Sequence, residues 1–280
     1  AFAAGFGAGD AVLVGAAMMF SSTIIGLKLL PTTALHHQHT GQVMISVLLL
    51  QDLLAILVLL VIEGLRGGDG LALKLLALPA LIAIAAALER WLVEPLLRRF
   101  DQIHEYLFLV VIAWCLSLAE LARFLGLSHE IGAFVAGVTL ATCPVSTFVA
   151  DSLRPLRDFF LILFFFSLGA SLDLVAAREV LLSAAVLAGA MLTAKPLIFE
   201  KLLTAAGESP KLAREAGVRL GQISEFSLLI TVLALDSGFV SAKASNLIQV
   251  AAVLSFIGSS YVIVMRYPTP IAVRDTLRRD

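Results

Sequence analysis

An all-α polytopic membrane protein is the fold class predicted for this 280-residue sequence, and three observations predict it. Hydrophobic residues make up 60% of the chain and charged residues only 15%, against roughly 25% charged in ordinary soluble domains. The apolar residues gather into nine runs, at 11–30, 43–62, 71–97, 106–122, 131–149, 159–175, 180–203, 217–235 and 246–266. A span needs about 20 residues to cross the hydrocarbon core. The basic residues alternate between the segments joining these runs. Fourteen of the twenty Lys and Arg fall on one side, Lys28, Arg98, Arg99, Arg214, Arg219 and Arg266 among them, and five on the other. By the positive-inside rule the richer side is cytoplasmic.

A soluble core of this size buries only about 75% of the chain's surface, so lipid is the solvent for most of it. The runs exceed a strand's length and none alternates cleanly, which fits helices and not a β-barrel. This composition excludes a nucleic-acid binder, a secreted disulfide scaffold and a cytosolic enzyme. The net charge of −1 offers no field for a polyanion. Cys115 and Cys143 both lie in apolar stretches and carry no redox signal. There is no HExxH and no G-x-S-x-G, so no catalytic residue, enzyme activity or cofactor is expected.

The runs are taken in order. The first carries Ser21-Ser22-Thr23 at its middle, followed by Gly26. These hydroxyls either bond back to an intact helix or serve backbone groups freed by a break. In the second, Asp52 is the tenth of twenty residues, close to the bilayer midplane, and Gln51 precedes it. An ionisable group there costs about 2.5–3.5 kcal/mol on insertion scales. It reads as a structural ion pair, a neutral acid, or a site for a cation or proton. The fifth run, 131–149, is Gly-rich and interrupted by Pro144. Its Gly132 and Gly137 permit close helix packing, though their spacing is not GxxxG.

The seventh run holds Lys195-Pro196. Pro196 removes one helical hydrogen bond, and Lys195 either snorkels to the cytoplasmic face or pairs in the core with a carboxylate. The eighth opens Gly221-Gln222-Ile223-Ser224-Glu225, too polar for a lipid-facing helix. It reads as a second break with half-helix dipoles aimed at a site, or as a structural Glu225 bonded within the bundle. His36, His37 and His39 share the cytoplasmic loop 31–42. They are read as a solvated cluster or a pH sensor. The chain opens at Ala1 with no charged leader and no cleavage signature, which reads as a C-terminal portion of a longer protein. Ala1 enters from the outer side and the C-terminus is cytoplasmic.

Five segments in order, SSTIIGLKLL, VLLLQDLLAILV, IGAFVAGVTLA, LFFFSLGASLDL and LGQISEFSLLI, closely resemble the monovalent cation:proton antiporter-2 family, nearest to the bacterial Kef potassium-efflux type. The likeness runs from residue 11 to residue 266. It implies a sodium/proton-antiporter-like inverted-repeat fold of thirteen spans, with two broken helices crossing beside an ion-binding aspartate. The nine runs would be its last nine spans. The resemblance divides the chain into a first core part (1–70), a linking helix (71–105), part of a dimerisation domain (106–178), a second core part (179–266) and a cytoplasmic tail (267–280). It assigns Asp52 as the residue binding H+, K+ or Na+, Gln51 and the first-break residues Ser21, Ser22 and Thr23 as further ion- and proton-binding groups, Gly221, Gln222 and Ser224 as the second break, and Lys195 and Glu225 as core charge partners.

The resemblance also implies a homodimer in a bacterial inner membrane. A cytosolic nucleotide-binding regulatory domain would lie outside these residues. Gln51-Asp52, where sodium-selective relatives carry Asn-Asp or Asp-Asp, favours K+ over Na+. The rival readings are a ligand-gated potassium-efflux channel, a solute:sodium symporter and a non-transporting membrane subunit.

Overall fold

The computed structural model describes residues 7–31, 39–66, 71–99, 104–141, 143, 146–171, 174–272 and 277–278. In chain order the helices are α1 (Ala8–Met19), α2 (Thr23–Lys28), α3 (His39–Arg66), α4 (Leu71–Leu88), α5 (Glu94–Arg99), α6 (His104–Phe124), α7 (His129–Ala141), α8 (Ser146–Ser171), α9 (Leu174–Ala205), α10 (Pro210–Arg219), α11 (Glu225–Asp236) and α12 (Ala242–Arg266). A π-helical turn, Glu89–Val93, joins α4 to α5 in one rod. The β pairing among the described residues is an isolated bridge between Thr269 and Arg278.

Six stretches among the described residues are long and apolar enough to cross a membrane: 9–28, 39–62, 74–99, 105–124, 175–205 and 242–266. Two of the nine runs are broken helices, α1 with α2 and α10 with α11. The expected fifth span is corrected. α7 ends at Ala141 after 13 residues, and the next helix already begins at Ser146 and runs to Ser171. Pro144 explains the change. It donates no hydrogen bond and disfavours helix in the residue before it, which favours ending α7 before it. The early turns of α8 carry the pairs Arg154–Asp151 and Arg157–Asp158. Its second half is apolar and exposed, with Phe166 73% accessible, a surface suited to lipid and not to water.

Local sequence sets the helix ends. Ser22, Ser209, Ser224 and Ser241 are N-caps whose hydroxyls accept a backbone N–H from the first turn, replacing donors the helix itself cannot satisfy. Gly207 and Gly238 close α9 and α11 with φ of +99° and +72°, a conformation that a Cβ opposes.

The chain divides into two compact units. Unit 1 is Ala1–Ala55 with Leu172–Asp280, and unit 2 is Ile56–Ser171. Unit 2 packs around Leu81, Leu97, Leu118 and Ile131. The Trp114 indole donates to the Ala136 carbonyl at 3.3 Å. Glu89, buried in the π turn, accepts the Cys143 thiol at 2.6 Å. Gly132 is where α7 meets α6: a Cβ there would lie 2.6 Å from Ala119 Cα and 2.7 Å from Ala122 Cβ, and closer still to the Leu118 carbonyl. Gly137 has open space. Gly132→Val is therefore expected to cost about 1–3 kcal/mol through overpacking, and Gly137→Val much less. Equal melting temperatures for the two variants in detergent would contradict this packing.

Within unit 1, Leu30, Met44, Leu48, Leu203, Ala213 and Leu220 form an apolar cluster beside the breaks.

Candidate ion site at two helix breaks

The first break falls at Phe20–Ser22 and the second at Leu220–Ser224. They lie against each other. The Ser21 hydroxyl donates to the Leu220 carbonyl at 2.7 Å, and Gln222 Nε2 donates to the Ser22 carbonyl at 3.2 Å. The Ser21–Thr23 hydroxyls therefore do not bond back along an intact helix. Ser22 caps α2 instead, accepting from the Ile25 N–H at 3.2 Å. Gly221 abuts Pro196: a Cβ there would stand 3.1 Å from the proline ring. Ser224 caps α11, accepting from the Phe226 N–H at 3.0 Å.

Breaking a helix exposes carbonyls at one end and N–H groups at the other, and the chain answers both. Lys195 is 6% exposed. Its ammonium donates to the Phe20 carbonyl at 2.7 Å and the Gln222 carbonyl at 2.8 Å. It therefore neither snorkels nor pairs with a carboxylate. It sits where the negative ends of α1 and α10 converge. Glu225 takes the opposite role. Its carboxyl group interacts with the Ser22 hydroxyl, with the backbone N–H groups of Thr23 and Ile24, and with its own N–H. The positive ends of α2 and α11 thus share one carboxyl group. Lys195 and Glu225 are not partners of each other.

Gln51 is spent on the break: its Oε1 accepts the Ser21 N–H at 2.8 Å. Asp52, one residue on, is turned about 100° away around the helix and takes part in none of these bonds. Asp52 is half-buried. A cavity of about 510 Å³ in unit 1 reaches Gln51 and Lys195, but Asp52 does not line it.

Three supporting groups were not legible in the sequence. Ser255 and Ser259, four residues apart on α12, bond to the Ile223 N–H and the Gln222 side chain at 3.1 Å each. Their spacing on one helix face is the signal that could have found them. Arg219, counted in the sequence among the cytoplasmic charges, is 1% exposed. It donates to Glu215 and the Leu29 carbonyl at 3.0 Å each and to the Pro268 carbonyl at 2.8 Å, with the Tyr267 ring 5.5 Å away. It joins the ends of α2 and α10 to the segment after α12. Asp10 accepts from the Ser241 N–H at 2.9 Å and hydroxyl at 2.8 Å, tying α1 to α12. His39 pairs with Glu208 at 2.9 Å on the surface. His36 and His37 lie outside the described residues.

Two broken helices set break to break, beside a carboxylate on a continuous helix, are the architecture of a membrane transporter built on discontinuous spans. The chain belongs to the sodium/hydrogen exchanger transmembrane family, whose model matches residues 1–266. That is a family of transporters and not of enzymes, and with six membrane-length apolar stretches among the described residues the protein is integral to a membrane. It is similar to K(+) efflux antiporter 6 of Arabidopsis thaliana, at 29% identity over 91% of this chain and 45% of that protein. It is similar to the putative K(+) efflux antiporter KefB of Alkalimonas amylolytica, at 30% identity over 90% of this chain and 40% of that protein. A third relative is the iron transporter MagA of Paramagnetospirillum magneticum, at 26% identity over 92% and 60%. The chain thus spans roughly half the length of these relatives.

Proposed function

We propose that this protein is a secondary-active monovalent cation/proton antiporter that exchanges K+, and secondarily Na+, for H+ at Asp52. One observation carries the reading. The polar groups of the crossing are largely bonded to one another, whereas Asp52, one residue from Gln51, is half-buried and outside their hydrogen bonds. A carboxylate at membrane depth needs a counter-charge, and here the counter-charge is a mobile one. A bound proton removes the charge that holds the cation, so the two compete for one oxygen pair. That competition enforces exchange, one proton for one cation. Unit 1, rocking as a transport core, would alternate access to the site.

The choice of K+ is supported by Gln51 in place of a second carboxylate and by the names of two relatives. In this reading 1–70 and 179–266 form the transport core, 71–105 links, and 106–178 contributes to a homodimer. The C-terminus faces the cytoplasm of a bacterial cell, and a nucleotide-binding regulatory domain lies outside the chain.

The test uses the intact protein in liposomes holding a pH-sensitive dye, with an imposed proton gradient. K+ is expected to collapse the gradient, Na+ to do so less well, and Asp52→Asn to lose the response at least 100-fold while melting like the wild type. Wild-type exchange by a well-folded Asp52→Asn variant would remove Asp52 from the mechanism. Rapid cation flux without proton movement would establish a channel, and no flux from folded protein a non-transporting subunit.

A further inference from the structure

We infer that the cavity of about 510 Å³ in unit 1 binds a single-chain carboxylate from the bilayer, a fatty-acid anion, with its head at Lys195 and Gln51 and its chain between α1 and α9. Asp52 does not line this cavity, so the site is separate from the proposed exchange and stands or falls without it.

The walls set the shape of the ligand. α1 supplies residues from Ala11 to Met19, and α9 supplies residues from Leu187 to Leu202. From Lys195 the α9 wall runs about 12 Å to Leu187, and the α1 wall from Met19 to Ala11 has the same length. Lys195 and Gln51 are the polar side chains of the lining, and the remaining lining residues are apolar. A small polar anion would leave those walls without a partner, whereas an acyl chain covers them. Met19, Ile198 and Leu202, which also line the cavity, are each more than half exposed. In a membrane-spanning unit that exposure is to lipid, so the cavity is open to a ligand that arrives through the bilayer.

Charge sets the head group. Lys195 is 6% exposed, and its partners among the described residues are two neutral carbonyls, Phe20 at 2.7 Å and Gln222 at 2.8 Å. An ammonium has three donors, so one is left for a ligand. The helix ends around it carry partial charges only, and an ionised group at membrane depth normally faces an opposite charge. Gln51 accepts the Ser21 N–H through its oxygen at 2.8 Å. Its amide NH2 takes no part in that bond and offers two further donors. A carboxylate is an acceptor at both oxygens, which matches a lysine and an amide on one wall, and its charge answers the ammonium. The head of a two-chain phospholipid stays in the interfacial layer outside the hydrocarbon, so its tails could coat the walls but would leave Lys195 unmet. A single small carboxylate on one chain meets both requirements.

The experiment uses the intact protein in lipid nanodiscs and dodecanoic acid carrying a diazirine in its chain, with the labelled residues mapped by mass spectrometry after illumination. Labelling is expected at Met18, Leu187 or Met191, and an excess of plain dodecanoate is expected to reduce it at least tenfold. The methyl ester of the probe, which has no charge to offer, is expected to label these residues at least tenfold less. Equal labelling by acid and ester, or by a phosphatidylcholine with the same diazirine, would show an ordinary lipid-facing groove and overturn the inference. Lys195→Met is expected to lose the preference for acid over ester, and a preference that survives in that variant overturns the inference too. Since Lys195→Met disturbs the helix breaks, Gly15→Leu is the second variant. Gly15 lines the cavity, and a Cβ there meets nothing within 4 Å, so the added side chain takes up ligand space and leaves Lys195 in place. Gly15→Leu is expected to melt like the wild type and to label at least tenfold less. Undiminished labelling in folded Gly15→Leu overturns the inference. So does wild-type protein in which none of the lining residues is labelled, because another segment then fills the cavity.

Discussion

Lys195→Met is expected to abolish transport and to cost about 2–4 kcal/mol of stability. The methionine keeps the length and the apolar stem but removes the ammonium that donates to Phe20 and Gln222 at 2.7 and 2.8 Å. Two buried carbonyls then lose their donor, at about 1–3 kcal/mol each where no water replaces it. The negative ends of α1 and α10 would also face each other uncompensated, at about 0.3–1 kcal/mol. Lys195→Arg keeps a cation and several donors, so it should recover much of the loss in melting temperature, while its larger fork disturbs the 510 Å³ cavity that Lys195 lines. The check is a thermal melt in detergent beside the liposome assay. A Lys195→Met protein that melts with the wild type would show that the two carbonyls do not need the ammonium.

Arg219→Met carries the second large effect. Removing one partner of a fully buried ion pair costs about 3–5 kcal/mol. Glu215 keeps 23% side-chain exposure, so water can take over part of its charge and the expected loss is nearer 2–4 kcal/mol. The larger share comes from the Leu29 and Pro268 carbonyls, which lose their donors in a site where Arg219 is 1% exposed. Arg219→Lys should recover little, because one ammonium cannot reproduce a planar fork directed at three acceptors. A melt in which the Lys variant matches the wild type would show that charge alone matters at this position.

The spans were legible because apolar length is a property of the local sequence. The breaks were legible because Ser21–Thr23 and Gln222–Glu225 are polar where lipid would demand otherwise. The border between α7 and α8 was missed because hydropathy averages over Pro144, whereas the backbone does not. The partners of Lys195 could not be read either. Phe20 is 175 residues away and Gln222 is 27 away, and a backbone carbonyl has no sequence signature. Gln51 and Asp52 looked like one site; the helix turn between them gives one to the break and leaves the other beside it. Arg219 looked like one more cytoplasmic charge, because counting charges by side ignores burial.

Arg219 holds the segment after α12 by hydrogen bond through a main-chain oxygen, that of Pro268. The tie is therefore indifferent to which residue stands at position 268 and strict about where that residue stands. One residue inserted or removed next to Tyr267 would shift the acceptor by about 3.3–3.8 Å, beyond hydrogen-bond reach. Substitutions at position 268 that keep the backbone path should be tolerated while the length of this segment is held constant, so at this tie spacing counts for more than the side chain.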